Sequence, residues 1–353
     1  MSKQAIKVYV GMSGGVDSSV TAALLKQQGY DVTGVYMKNW SEDLPGMVCP
    51  WKEDYQDAKR VAVKLDIPFK MYDFQKEYRQ KVVDYMVAEY QAGRTPNPDV
   101  MCNQEVKFKL FLEAALEDGA DMIATGHYAK VANGELHVAA NAEKDQTYFL
   151  YRVTGEALSK TLMPIGDIGT KAEVRTLAKD FGLATADKKD SQGICFVGKV
   201  GIKDFLLHEL GPQAAGDIVD QDGTVIGRHD GAIFYTIGQR HGLDVGGGLP
   251  YYVVGKDMKK NEVYVTTQLD DERLWHKDLR LTDVHWINDA PDAGKVYQIR
   301  TRYRAALVNG EIVESSQSGS LKLKLEEEIR AITPGQSAVI YDGDTCIGGG
   351  VVL

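Results

Sequence analysis

The stretch Gly11-Met12-Ser13-Gly14-Gly15-Val16-Asp17-Ser18-Ser19 lies between a β-branched run at 5–10 and an amphipathic stretch at 18–28. It reads as the turn that joins a first strand to a first helix. Glycines without a Cβ let backbone N–H groups come close to a phosphate, and the start of the following helix adds partial positive charge. The turn therefore has the makings of a phosphate cradle. It lacks the lysine of GxxxxGK[ST] and the spacing of GxGxxG, which sets aside the standard nucleoside triphosphatase loop and the dinucleotide turn. A plain tight turn, with Asp17 or Ser18 capping the helix, is the less informative alternative.

Outward from this turn the alternation continues to about residue 200. Strands are expected at 31–37, 69–73 and 122–125, and helices at 53–65, 74–91 and 106–118, with a Pro-bearing loop GRTPNPDVMCN at 93–103. Crossovers this regular predict an α/β fold with a doubly wound parallel sheet, whose ligands sit beyond the carboxyl ends of the strands. After about residue 205 short strands are punctuated by Asp222-Gly223, Asp230-Gly231, Asn309-Gly310 and Asp342-Gly343, turn dipeptides of β-rich structure. A break near 273–277 divides this half. The expected domains are 1–204, a small central β-rich module at 205–275 and a C-terminal β-barrel-like module at 276–353.

The 353 residues are 44% hydrophobic and 26% charged, and 41 Lys and Arg against 50 Asp and Glu leave a formal charge of -9. That balance argues against nucleic-acid binding by a uniformly basic surface and leaves room for a local basic groove. No run approaches the roughly 18 apolar residues of a membrane span, and MSKQAIKVYV lacks the apolar core of a signal peptide. The expected location is the cytoplasm, with no membrane partner. Cys49, Cys102, Cys195 and Cys346 form no CxxC pair and no zinc-ligand spacing, so no metal site is expected from them. The run Lys295-Val296-Tyr297-Gln298-Ile299-Arg300-Thr301-Arg302-Tyr303-Arg304 has four basic residues and no acidic one. Strand alternation would put Arg300, Arg302 and Arg304 on one face, suited to phosphates or stacked bases, or to guarding a solvated sheet edge.

SGGVDSS (13–19) resembles the PP-loop of ATP pyrophosphatases, which cleave ATP to AMP and pyrophosphate. Two cysteine segments narrow the resemblance. TPNPDVMCN (95–103) and DSQGICF (190–196) are similar to the signature motifs of the tRNA-specific 2-thiouridylase family, and the likeness extends through TGHYAK (125–130), KDQTYFLY (144–151), FYTIGQRHGL (234–243), RYR (302–304) and PGQSAV (334–339).

The resemblance implies ATP-dependent 2-thiolation of the wobble uridine in tRNAs for Lys, Glu and Gln, with ATP and magnesium as cofactors. It implies ATP binding by Gly11, Met12, Ser13, Gly14, Gly15, Val16, Asp17 and Ser18, with Asp17 helping to position magnesium, and adenosine held at Met37 and Gly126. Ordinary strand-end packing accounts equally for Met37. Cys195 would carry a persulfide, Cys102 would attack or resolve it, and Asp99 would serve as general acid or base. Contacts to tRNA fall on Asn97, Pro98, Asp99, His127, Lys144, Asp145, Gln146, Arg302, Tyr303 and Gln336. The sulfur would come from a protein persulfide donor, a cysteine desulfurase or a sulfur relay protein.

The chemistry is consistent with these tools. Replacing a carbonyl oxygen by sulfur needs the oxygen made a leaving group, which adenylation does, and a soft nucleophile, which a persulfide supplies. The target base would be flipped out of its stack to reach both. Free cysteine is otherwise commonly a small buried hydrophobe, the reading given to Cys49 and Cys346. An accessible Pro-rich loop favours a chemical role for Cys102 instead. Rival readings are an AMP-forming amidotransferase or ligase, an RNA-binding module on a nucleotide fold, and an iron–sulfur site at Asp99, Cys102 and Cys195.

Overall fold

Val8, Val10, Val32, Val35 and Ile123 are all buried, the two-faced burial that a parallel sheet between helices imposes. They belong to β1 (Lys7–Gly11), β2 (Asp31–Lys38) and β4 (Met122–Ala124), which with β3 (Phe69–Asp73) and β7 (Thr161–Leu162) form a parallel five-stranded sheet in the order β3-β2-β1-β4-β7. The strand order reverses at β1, flanked by β2 on one side and β4 on the other. This is the switch point where open α/β sheets bind ligands. The structure is a computed structural model that describes residues 5–44, 46, 48–189, 201–246, 248, 250–292, 294–315 and 319–353.

Helix α1 (Val16–Gln27) follows β1, and α2 (Trp51–Lys64) follows β2. Helix α3, residues 75–91, runs through Gln75–Tyr78, a π-helical Arg79–Val83 and Asp84–Gln91. The expected loop at 93–103 is shorter than its sequence suggested. Helix α4, residues 98–117, starts at Pro98 and runs through Pro98–Met101, a π-helical Cys102–Leu110 and Phe111–Glu117. Asn97 is extended before it, and a proline at the first helical position has its φ already set and needs no hydrogen-bonded N–H. Cys102 and Asn103 are therefore helical. Hairpin strands β5 (Lys130–Ala132) and β6 (Glu135–His137) leave the parallel sheet and join another one, described below.

The second half opens with a helix, Ile202–Leu210. Strands β8 (Gly216–Val219), β9 (Val225–His229), β10 (Tyr252–Asp257) and β11 (Glu262–Thr266) then form a sheet in the order β10-β11-β8-β9. Six further strands close on themselves: β12 (Trp275–Trp286), β13 (Val296–Arg300), β14 (Val308–Ser315), β15 (Leu321–Arg330), β16 (Ser337–Asp342) and β17 (Thr345–Val352). Because β12 pairs with both β15 and β17, the sheet is a six-stranded antiparallel barrel, filled by Leu279, Leu281, Tyr297, Ile299, Leu323 and Ile340. Closure removes the edges an open sheet would expose. The hairpin β5–β6 is added outside, against β17.

Asp222-Gly223 is a turn, as expected, and Asp342-Gly343 leads from the end of β16 into the turn before β17. Asn309-Gly310 lies inside β14, where a Cβ on Gly310 would come 2.6 Å from Ile299. This glycine serves close packing and not a bend. Asp230-Gly231 leads from β9 into a short 3₁₀ turn, Ala232–Phe234, and closes no hairpin. Among the described residues no helix is long and apolar enough to cross a membrane.

Candidate active site

The phosphate loop takes its shape from its own backbone. Gly14 has φ 78°, and a Cβ there would lie 2.3 Å from the Asp54 carbonyl oxygen of α2. The Ser13 N–H donates to Ser18 Oγ at 3.2 Å, and the two hydroxyls lie 3.3 Å apart. The Ser18 and Ser19 hydroxyls donate to the Gly15 carbonyl. Ser13 is exposed while Met12, Val16 and Ser18 are buried, so the loop is anchored from below and open above. Met37 lies next to last in β2 beside it, its methyl 2.9 Å from where a Cβ on Gly11 would stand.

Nothing near Asp17 in the chain signals its partner. Lys171 opens the Lys171–Asp180 helix, and its Nζ lies 2.7 Å from both Asp17 carboxylate oxygens; the Tyr128 hydroxyl donates to one of them at 2.8 Å. The loop thus has a lysine after all, delivered from 154 residues away. A second pair fastens its flank, Lys188 to Asp54 and Asp57 at 2.7 Å each.

Three successive residues beyond β4 tie the loop to α4. Gly126 abuts the start of α1, and a Cβ on it would be 2.7 Å from the Ser18 nitrogen. His127 reaches the other way. Its Nδ1 is 2.8 Å from Thr125 Oγ1, its Nε2 is 3.5 Å from Lys107 Nζ, and its ring packs on Phe108. Lysine can only donate, so Nε2 is the accepting nitrogen and Nδ1 carries the proton. Burial, reinforced by Lys107, pushes the His127 pKa down and keeps the ring neutral. Tyr128 then returns to Asp17, and its backbone is held by Gln146 through Oε1 and N–H.

On α4 the half-buried Asp99 lies one turn before Cys102 and Asn103, so the three share a face. Cys102 is 3% exposed, a correction to the accessible loop expected from the sequence; the helix that starts at Pro98 draws it into the core. Burial raises the Asp99 carboxyl pKa, partly offset by Lys107. A π-helical stretch in this position is frequent at functional sites. Cys49 is half-buried, with burial raising its pKa, and Cys346 is buried, its thiol pushed well up. Cys195 lies outside the described residues.

Besides Asp99, His127 and Gln146, the residues expected to touch tRNA fall into two groups. Lys144, Asp145 and Tyr303 line a cavity of about 440 Å³ between the α/β domain and the barrel, together with Glu143, Arg300 and Arg304. Asp145 is buried, accepting from the Thr147 hydroxyl and the Ala139 N–H with Arg300 at 3.5 Å. The other group braces the junction of the domains. Arg302 donates to the carbonyls of Ile237 at 2.9 Å and Ala331 at 2.8 Å, and Gln336 donates to Thr95 O at 2.7 Å. Asn97 bonds the Tyr148 hydroxyl, which donates to Ser337 O, and Pro98 is buried.

The expected arginine face does not form. Strand β13 ends at Arg300, Arg302 turns inward, and Arg304, with φ 62°, lies exposed over the Tyr303 ring.

Comparison with known proteins gives this geometry its context. A family model described as the tRNA methyl transferase HUP domain matches residues 6–199. One described as the tRNA methyl transferase PRC-barrel domain matches 203–267, and one described as the aminomethyltransferase beta-barrel domain matches 276–352. The tRNA-specific 2-thiouridylase MnmA of Geobacillus thermodenitrificans is 50% identical over 352 residues, covering 98% of this chain and 94% of that protein. MnmA of Listeria monocytogenes is 48% identical over 353 residues and that of Bacillus subtilis 47% over 352, each at 98% and 94% coverage. The models and the relatives carry different chemistries in their descriptions, and the full-length relatives at about half identity decide between them.

Proposed function

Because the chain belongs to the MnmA family of tRNA-specific 2-thiouridylases, a tRNA sulfurtransferase acting on uridine, we propose the following course for its reaction. The C2 oxygen of the wobble uridine, in tRNAs for Lys, Glu and Gln, attacks the α-phosphorus of ATP, and pyrophosphate leaves into the cradle of residues 13–18. Asp99 takes up the base's N3 proton as activation proceeds. A persulfide on Cys195, loaded by a cysteine desulfurase or a sulfur relay protein, attacks C2 through its terminal sulfur, and AMP departs with the original oxygen. The Cys102 thiolate then attacks the carrier sulfur. The base keeps C2=S and regains its N3 proton, and a Cys102–Cys195 disulfide remains for a dithiol to reduce.

The observation that carries this reading is the run Gly126-His127-Tyr128, which touches the phosphate loop through Gly126 and Tyr128 and the Cys102 helix through His127. Two chemistries that must act on one base are held by three consecutive residues. Lys171 is suited to move from Asp17 to the β- and γ-phosphates, supplying the charge that the loop itself lacks. Among the described residues no group of three or more His, Cys, Asp or Glu gathers to hold a metal. Magnesium held by Asp17, phosphate oxygens and waters is the mode that fits a single carboxylate. Residues 276–353, with Lys144 and the cavity they share, would take the tRNA backbone.

Mass spectrometry of nucleosides after incubation tests the reading. 2-Thiouridine is expected only when tRNA, ATP and a persulfide source are all present, and thiolation without ATP would overturn the activation step. A protein that bound tRNA but released no pyrophosphate would be an RNA-binding module instead.

A further inference from the structure

Asn103 directly follows Cys102 and lies one turn beyond Asp99 on α4, and it is 3% exposed. Its amide nitrogen donates to the Phe149 carbonyl oxygen at 3.0 Å, which fixes the direction in which the amide faces. The amide oxygen is shielded from solvent and has no hydrogen-bond partner among the described residues. Nearly all buried polar atoms in native proteins are paired, so a buried acceptor without a donor calls for a reason.

The surroundings indicate what donor is missing. On the reading above, Asp99 and Cys102 work at C2 of uracil, so the oxygen of their neighbour falls beside the ring atoms next to C2. N1 is occupied by the ribose, which leaves N3. In uridine N3–H is the only N–H donor of the base, whereas in cytidine N3 is an acceptor. The site also adjoins the junction of the domains through one packed side chain. Phe149, which holds the amide, packs against Tyr303 with ring centroids 4.5 Å apart, and Tyr303 lines the cavity of about 440 Å³ at the domain junction.

We propose that Asn103 Oδ1 accepts the N3–H of the docked uracil and so distinguishes uridine from cytidine at the thiolated position. This rests on the thiolation reading. The contact forms before activation and presents N3 to the helix face that Asp99 shares, where the proton passes from the Asn103 hydrogen bond to the Asp99 carboxylate. With a cytosine in the same place, two acceptors would face each other and the buried oxygen would stay unpaired, the arrangement by which a polar site rejects a near-isostere.

The test compares dissociation constants, without ATP, for two tRNAs that differ only by uridine or cytidine at the target position. Wild type should prefer uridine by about tenfold, the scale of one hydrogen bond made or left unmade. Asn103→Ala should bring the ratio close to one, a readout that general structural damage would not move because it weakens both tRNAs alike. Asn103→Leu keeps the volume without an acceptor and should likewise bring the ratio close to one, and it stands in should the alanine variant fail to fold. A wild-type ratio of one, or an undiminished ratio in Asn103→Ala or Asn103→Leu, would overturn the assignment. Failure of the thiolation reading shows separately, as wild-type protein that makes no 2-thiouridine from tRNA, ATP and a persulfide source.

Discussion

At the phosphate end of the cleft the groups on offer are backbone N–H groups and an exposed serine beside β1, whereas at the thiol end Cys102, Asn103 and His127 lie beneath the surface at 3%, 3% and 8% exposure. The first end takes the shape of its backbone from a few consecutive residues, with only the Lys171 side chain left to shift when nucleotide binds. The second is assembled from α4, the segment beyond β4 and the helix that carries Phe149, and it stays closed until something parts them. A charged nucleotide can enter a preformed cradle, but a base must displace packed side chains. The contrast predicts that contacts of tRNA elsewhere on the protein open the thiol end.

The sharpest way to break this contrast is Cys102→Ser. Thiolation should fall to background while ATP affinity stays within about twofold, as independent sites require. A parallel loss of ATP binding would mean that the two ends are one. Next in size, Asp99→Asn should slow thiolation by about 10²- to 10⁴-fold. Burial raises the Asp99 pKa above its ordinary 3.8. As a base it works only when ionised, so the acid limb of the wild-type rate profile should sit above that value and disappear in the Asn variant.

Gly126→Ala probes the link between the ends. Its Cβ would stand 2.7 Å from the Ser18 nitrogen and 2.8 Å from the Asp17 carbonyl carbon, and backbone atoms do not yield as a side-chain tip would. ATP affinity should fall by about tenfold and stability by about 1–3 kcal/mol, read by equilibrium binding and denaturant titration. The smallest effect separates two arginines. Arg304→Gln should lower the slope of log affinity for tRNA against log salt by about 0.7–1, one phosphate contact fewer. Arg302→Gln should leave the slope unchanged and lower the unfolding midpoint, because it strands the carbonyls of Ile237 and Ala331. A flat salt response in the wild type would remove the phosphate contacts altogether.

The same contrast governs what was legible from sequence. Gly11 to Ser18 could be read because the cradle depends on neighbours in the chain, and the strand–helix rhythm around it gave the sheet. Asp17–Lys171 could not be read, since nothing local signals a pair 154 residues apart. Cys102 was expected on an accessible loop because Pro96 and Pro98 suggest irregular chain, yet Pro98 sits where a helix tolerates proline best. Arg302 and Gln336 belong to motifs and were expected to face RNA. In the structure each also donates to backbone carbonyls where domains meet, a use that the motif does not announce. A motif marks that a residue matters without saying which surface it serves.

The hairpin β5–β6 finds its mate only at β17, with His137 and Thr345 separated by 208 residues. A ribosome adding about 5–20 residues per second emits the hairpin some 10–40 s before that mate exists. Through that interval its outer edge has no strand to pair with, and a chain released early would keep the edge bare. Sealing of that seam is thus a late event in assembly, timed by the arrival of a strand made about two hundred residues after the hairpin.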